Sequence, residues 1–441
     1  MRGIMKIVLG ILIGLGFAYA FLFEIDPIVK IVFALFVVFL GMAAVNPPVV
    51  FLMLLFIRPL IDPLRVYGFG FFSFLGIFSF INVILIFFVA VKYKQFNFFP
   101  RSIKWFYFFA LFVLMSLVNE VKVEAALANS LKLMSLLAIF LLSYNLPKSI
   151  KDVFRILNVI VFSAIVPIVI GVYQIVTKQG IVQGLDAYRR INSTFALSNP
   201  FAFYLGFIIL VILLLIYGFP QRRKFVALYS VILTVSFVCL VFTYVRAIWL
   251  AVVIALFFTA LFERKIRRWV VIGTFFILIV FSGTLFSRFN DIINPPLLRA
   301  NTLEWRYDMA KQLMMKAVPK YWLIGSGIGT SEEVASKVTS YENLPHNDYL
   351  RVLVETGFFG LIFYLMFFFS LLKFFATQIF NKINKENNII FLGTLIFYLI
   401  ASLGQNCFIA ISASGYMFCL MGVALKLNEL KVESAISGVK P

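Results

Sequence analysis

The sequence predicts an all-α polytopic membrane protein of twelve to fourteen spans, with one helical cap loop on the extracytoplasmic side. Three observations lead there. Of the 441 residues, 63% are hydrophobic, where a soluble domain is nearer half apolar, and mean hydropathy is +1.02. Apolar runs of about 18–22 residues recur along the chain, each long enough to cross about 30 Å of hydrocarbon. The runs do not alternate as barrel strands would. Helices remain, because lipid forces every backbone group to be satisfied within the span.

The spans fall near 4–23, 28–45, 49–60, 69–91, 104–118, 127–144, 153–176, 200–218, 224–243, 246–262, 267–286, 352–376, 388–406 and 408–427. The third is short, and Asn46-Pro47-Pro48 before it marks a kink or re-entrant turn, so 28–60 is either two spans or one broken element. Both counts are even and place both termini on one side. The N-terminus has signal-peptide features without a cleavage site and reads as the first span. The organisation predicted is an N-terminal bundle (1–286), a cap loop (287–351), C-terminal membrane helices (352–427) and a cytoplasmic tail (428–441).

Loop charge orients the bundle. The chain carries 39 Lys+Arg against 19 Asp+Glu, a net charge of +20. The excess sits in short loops between apolar runs, as orientation signals do, so no nucleic-acid partner is expected. Lys92/Lys94/Arg101/Lys104, Lys148/Lys151/Arg155, Arg222/Arg223/Lys224, Arg264/Lys265/Arg267/Arg268 and Lys382/Lys385 all fall on one side, with Arg2, Lys6, Lys426 and Lys431 near the termini. That side is the cytoplasm. The opposite side receives the stretch 287–350, whose seven basic residues balance seven acidic ones. It reads as a small folded cap. Within it, 302–317 is predicted as an amphipathic helix with Leu303, Tyr307, Ala310, Leu313 and Met314 on one face.

The candidate chemistry collects on the cap side. His346 is the single histidine and sits where the cap meets the next span. The bland alternative is an interfacial loop histidine, but a neutral imidazole at this place can accept a proton from a hydroxyl near pH 7. Asn347, Asp348 and Glu355 surround it in sequence, and spacing alone does not choose which carboxylate would orient the ring. One histidine without a neighbouring acidic pair predicts no metal, and no cofactor is expected. Cys239, Cys407 and Cys419 lie in apolar runs without a CxxC pair.

Arg189 and Arg190 stand on the side where basic residues are depleted, and a guanidinium fork suits phosphate oxygens. Arg246 lies in a hairpin with almost no loop between two apolar runs, so its head must sit at the outer interface. Arg306 lies on the cap helix, where a solvated surface position is as good a reading. Gly325-Ser326-Gly327-Ile328-Gly329-Thr330 has phosphate-loop glycines, but no GK[ST] follows and no βαβ unit surrounds it. A tight backbone turn is expected instead.

These residues stand in an order that resembles the O-antigen ligase and polysaccharide polymerase family of bacterial membrane glycosyltransferases. The matching segments are Arg189-Arg190-Ile191-Asn192-Ser193-Thr194-Phe195 with Ser198-Asn199-Pro200, then Tyr244-Val245-Arg246-Ala247-Ile248-Trp249-Leu250. Trp305-Arg306 through Pro319 with the glycine turn follows, and last His346-Asn347-Asp348-Tyr349-Leu350 with Glu355-Thr356-Gly357. Tyr244-Val245 replaces the small residue usual before the hairpin arginine. The resemblance covers about residues 180–370.

The resemblance implies a GT-C-like, metal-independent, inverting glycosyltransferase of the bacterial inner (plasma) membrane. Its donor would be an undecaprenyl-diphosphate-linked glycan, and its acceptor a hydroxyl of lipid A-core or of another glycan. Arg189 or Arg190, Arg246 and Arg306 would hold the diphosphate, and His346 would position or deprotonate the acceptor hydroxyl. A ligase reading is preferred, with a repeat-unit polymerase as the alternative. A transporter of lipid-linked sugar or an anion would place ionisable groups at mid-membrane, whereas the candidate groups here cluster at one surface. A scaffold protein would leave the outer arginines unexplained.

Overall fold

A computed structural model of the chain describes residues 37–66, 68–69, 72–93, 95–119, 123–182, 189–219, 225–264, 266–268, 302–339 and 345–437. The predicted span 4–23, residues 28–36 of the span 28–45, residues 269–286 of the span 267–286, and cap residues 287–301 and 340–344 lie outside the described residues.

The chain is all-α and polytopic. Among the described residues, six helices are long and apolar enough to cross a membrane, and the shorter apolar helices Pro47–Leu60, Gly76–Lys92, Ile103–Asn119, Val226–Phe242 and Arg246–Phe262 accompany them. In order the elements are α1 (Pro47–Ile57), two 3-10 turns (Arg58–Leu60 and Asp62–Val66) and a short antiparallel hairpin of β1 (Gly68–Phe69) and β2 (Phe72–Ser73). Then come α2 (Phe74–Lys92), α3 (Ile103–Ser116), α4 (Val123–Asn145), α5 (Ile150–Phe162), α6 (Ile165–Val176), α7 (Ser198–Gly218), α8 (Val226–Phe242) and α9 (Arg246–Phe262). The cap contributes α10 (Thr302–Gln312), a π-helical turn (Leu313–Ala317), α11 (Val318–Tyr321) and α12 (Ser331–Val338). The chain closes with α13 (Asp348–Phe380), α14 (Lys385–Gly404) and α15 (Ile411–Ser437).

Burial follows composition. In α7 every residue from Phe201 to Leu215 is buried, as an all-apolar helix requires. It stands between α8, α14 and α15. The helix α15 packs on α4 and α7 and runs on through Ser437, so much of the segment read as a tail is helical. Helices at the rim keep large apolar side chains exposed, among them Phe87, Phe257 and Phe369, as a lipid-facing surface should. The chain breaks at Asn46 (φ −141°, ψ 75°), and α1 restarts with proline in its first turn, where the missing N–H costs nothing.

Two ends of the bundle differ in chemistry. At one, the predicted basic loops meet. There Asn145 Nδ2 donates to Asn97 O (3.0 Å) and to Leu141 O (2.9 Å), and Asn388 and Asn428 exchange amide bonds of 2.8 Å. At the other, the loops predicted to face outward meet beneath the cap.

The cap is pinned by glycine. Gly325, Gly327 and Gly329 have φ of 79°, 111° and 88°, the left-handed region that favours glycine. Ser326 N donates to Val354 O (2.8 Å) and Gly327 N to Glu355 O (3.0 Å). Gly357 (φ 73°, ψ −174°) breaks α13 where it passes the same turn. A Cβ at Gly325 would fall on the backbone of Glu355 and Thr356, and one at Gly357 on that of Leu323 and Ile324. The expected backbone turn is therefore observed, and its function is to lock cap to span. The cap helix also forms as predicted, but on a different face. Met309, Leu313 and Ala317 are buried against Val334, Ala335 and Val354, while Tyr307 is 72% exposed. The i, i+4, i+8 row faces α12 and α13, a choice the helix's own apolar pattern does not make.

Candidate functional site

The hairpin arginine sits as the sequence requires. α8 and α9 are joined by Thr243, Tyr244 and Val245 alone, with Tyr244 at φ 55°. Thr243 Oγ1 donates to Leu240 O (2.6 Å) and Trp249 Nε1 to the same carbonyl (2.9 Å), closing the turn. Arg246 is the first residue of α9 and is half-buried.

Across from it, the C-terminal end of α14 packs closely: a Cβ at Gly404 would lie 3.0 Å from that of Ala247. Arg306 reaches the same place from the cap, its Nη1 donating to Gly404 O (3.3 Å) and its guanidinium lying 5.7 Å from the Trp305 ring centre. Trp305 in turn meets the His346 ring edge-on at 5.8 Å. His346, Arg306 and Arg246 thus converge on the end of α14, from three separate stretches of sequence.

The electrostatics agree with that convergence. The Arg306 guanidinium is held below its ordinary value, by burial first and by Arg246 second. Burial, and then the charge of Arg306, push the His346 imidazole down to about 4. Its Nδ1 is buried and has no partner among the described residues. Among the described residues neither Arg246 nor Arg306 has a carboxylate partner. Two cations that repel one another in a half-buried place leave room for an anion.

The other predicted residues divide. Arg190 forms a backbone bridge with Ile181, 2.9 Å in both directions, and Ile191 N donates to Phe242 O (3.3 Å), which brings this segment to the α8–α9 turn. Arg190 is half-buried, and Arg189 is exposed. Asn192 N and Ser193 N both donate to Gln174 Oε1 (3.1 and 2.9 Å), and Thr194 Oγ1 donates to Pro59 O (2.7 Å). Asn199 Nδ2 donates to Gln405 Oε1 (2.8 Å), next to the Gly404 carbonyl that holds Arg306. The Asn-Pro segment therefore braces the site through Gln405, a residue that the sequence reading passed over.

The residues after the histidine hold the scaffold. Asn347 caps α13, accepting from Leu350 N (3.0 Å), and its Nδ2 donates to Leu403 O (3.2 Å). Asp348 is fully buried and its Oδ2 accepts from Phe408 N (2.9 Å). Glu355 pairs with Arg351 Nε (2.7 Å) and accepts from Ser331 N (3.4 Å). Among the described residues neither carboxylate is placed on the imidazole; both fix α13 against its neighbours.

With this geometry in view, residues 231–365 match the family model described as O-Antigen ligase. The match spans Arg246, Arg306 and His346. No curated protein matches the chain.

Proposed function

We propose that this chain, a member of the O-antigen ligase and polymerase family, transfers a glycan from an undecaprenyl-diphosphate carrier to a sugar hydroxyl at the cap end of the bundle. A ligase acting on lipid A-core is the preferred form. The observation that carries the reading is the meeting of Arg246, Arg306 and His346 at the end of α14, two cations without a carboxylate partner among the described residues, beside a neutral imidazole.

A sugar bound to a polyprenyl diphosphate leaves readily once the diphosphate charge is offset. Arg246 and Arg306 supply fixed positive charge for it, in a place partly shielded from water, where such charge counts for more. Arg190 lies on the segment tied to the α8–α9 turn and is a further cation for this role. The neutral imidazole of His346 takes the proton of the acceptor hydroxyl as its oxygen bonds to the anomeric carbon. The bond from that carbon to the phosphate oxygen breaks, and the diphosphate departs with the electron pair. A direct displacement of this kind inverts the anomeric centre. The membrane around the bundle takes the polyprenyl chain, and the reading places the cap end at the periplasmic face, with both termini in the cytoplasm.

The test is surface polysaccharide from cells carrying His346→Ala or Arg246→Ala, read on a gel. Loss of polymer is expected from each, and normal polymer from both would refute the mechanism. Arg246→Lys keeps the charge but not the fork and is expected to stay impaired. Deleting the whole chain separates the two products. Loss of lipid-A-attached chains with lipid-linked polymer retained means a ligase, and single-repeat products mean a polymerase.

A further inference from the structure

A second cationic group lies at the same end of the bundle, on another face of α13. Arg351 is 4% exposed and shares its Nε with Glu355, but its Nη1 has no partner among the described residues. It lines a cavity, open at its mouth, together with Asn129, Lys132, Leu133, Phe408 and Ile411. Lys132 Nζ donates to the uncharged Asn129 Oδ1 (3.0 Å). Ile411 also lines a neighbouring cavity that holds Arg58, 8% exposed. Arg58 Nη1 stands 3.7 Å from Asp62 Oδ1, past hydrogen-bond reach, and has no hydrogen-bond partner among the described residues.

Two adjoining cavities therefore carry Arg58, Lys132 and Arg351 against Asp62 and Glu355. Among the described residues the surplus is one positive charge, and two guanidinium N–H groups are unused. Buried charge and unmade donors are both costly. An oxoanion would settle both, and its tetrahedral oxygens match a guanidinium and an ammonium approaching from different sides. The remaining walls, Leu133, Phe408 and Ile411, are apolar. They suit the carbon beside an anionic group rather than a free hydrated ion.

The geometry points to a second oxoanion pocket, formed by Arg351, Lys132 and Arg58, that takes the phosphate of a membrane amphiphile. It is separate from the Arg246–Arg306–His346 cluster, which sits with α10 and the end of α14, whereas this pocket lies against α4 and the glycine turn. Its occupancy does not depend on the transfer reaction.

The test is native mass spectrometry of the full chain in detergent, titrated with dioctanoyl phosphatidic acid, with dioctanoylglycerol and with inorganic phosphate. The acid is expected to bind at least tenfold more tightly than either comparison probe. Lys132→Gln should weaken it about tenfold, and Arg351→Gln combined with Glu355→Gln at least as much, since that pair leaves no stranded carboxylate. Each loss should be the same whether or not Arg246→Ala is also present, because independent sites add. Equal binding of the neutral lipid or of free phosphate overturns the proposal, and those comparisons need no variant to fold. An unchanged affinity in folded Lys132→Gln, or a loss seen only while Arg246 is intact, overturns it as well.

Discussion

Because the chain has one histidine, its protonation can be watched without interference. In protein labelled with 13C-histidine and purified through a tag free of histidine, the imidazole gives one signal whose position titrates. Burial and the Arg306 charge push His346 down to about 4, from an ordinary 6.5. At pH 7 an ordinary histidine is about a quarter protonated, whereas this one would be protonated about once in a thousand molecules. The signal should therefore stay in its neutral position from pH 8 to about 5 and move only below that. Arg306→Gln removes the second cause and leaves the first, so its midpoint should rise toward 6.5 without passing it. Arg306→Lys keeps a charge in place and should move the midpoint less. A wild-type midpoint near 6.5 would refute both the burial and the neighbouring cation, and with them the poised neutral base. A midpoint unmoved in Arg306→Gln would refute the contact alone.

Three further outcomes follow from the same geometry. An unfolded chain takes up the His346 proton below about 6.5 and the folded chain only near 4, so stability should fall as pH drops through that window. The contribution is about 2 kcal/mol at pH 5, and thermal unfolding in detergent at pH 7 and 5 should show a smaller loss for His346→Gln. Gly325→Ala meets a φ of 79° and the backbone of Glu355, so it should cost at least about 1–3 kcal/mol and lower the yield of folded protein, with Gly357→Ala behaving alike. Arg351→Ala strands a carboxylate whose side chain is 5% exposed and should cost about 3–5 kcal/mol, while Arg351→Met with Glu355→Leu should cost much less. Unfolding midpoints of the single and double variants decide it.

The parts of this molecule that sequence makes plain are those set by the bilayer. An apolar run of span length has one stable backbone, so most of the helices are foreseeable from hydropathy. Arg246 was legible for the same reason: a charge directly after a three-residue turn between two apolar runs has only the interface to occupy. His346 stood out by being single. What the sequence hides is long-range pairing. Asp348 and Glu355 follow the histidine closely, yet their partners are Phe408 in one case and Arg351 with Ser331 in the other. The buried face of α10 depends on α12 and α13, and its own pattern favoured Tyr307 over Met309. Arg58, Lys132 and Arg351 were passed over although each lies in or beside an apolar run. An ionisable residue inside a predicted span is itself a signal, and Lys132 within 127–144 carried it.

The coupling between the arginines and the histidine has a consequence for substrate order. The Arg306 charge lowers the proton affinity of His346, and Arg246 presses on Arg306 in turn. A diphosphate lying across both guanidiniums would cancel the field that depresses the imidazole while leaving its burial in place. His346 should then be a stronger base with donor bound than without, so the acceptor hydroxyl is activated only when there is a glycan to receive. Linkage makes this measurable from either side. If geranyl diphosphate, standing in for the carrier, raises the His346 midpoint by one pH unit, then protonating His346 must tighten its binding tenfold. The NMR titration with and without the diphosphate gives the first quantity. The Kd at pH 7 and at the lowest pH the folded protein tolerates gives the second. A midpoint indifferent to the diphosphate, while the compound demonstrably binds, would mean that it sits away from Arg306, and the site assembled at the end of α14 would lose its proposed role.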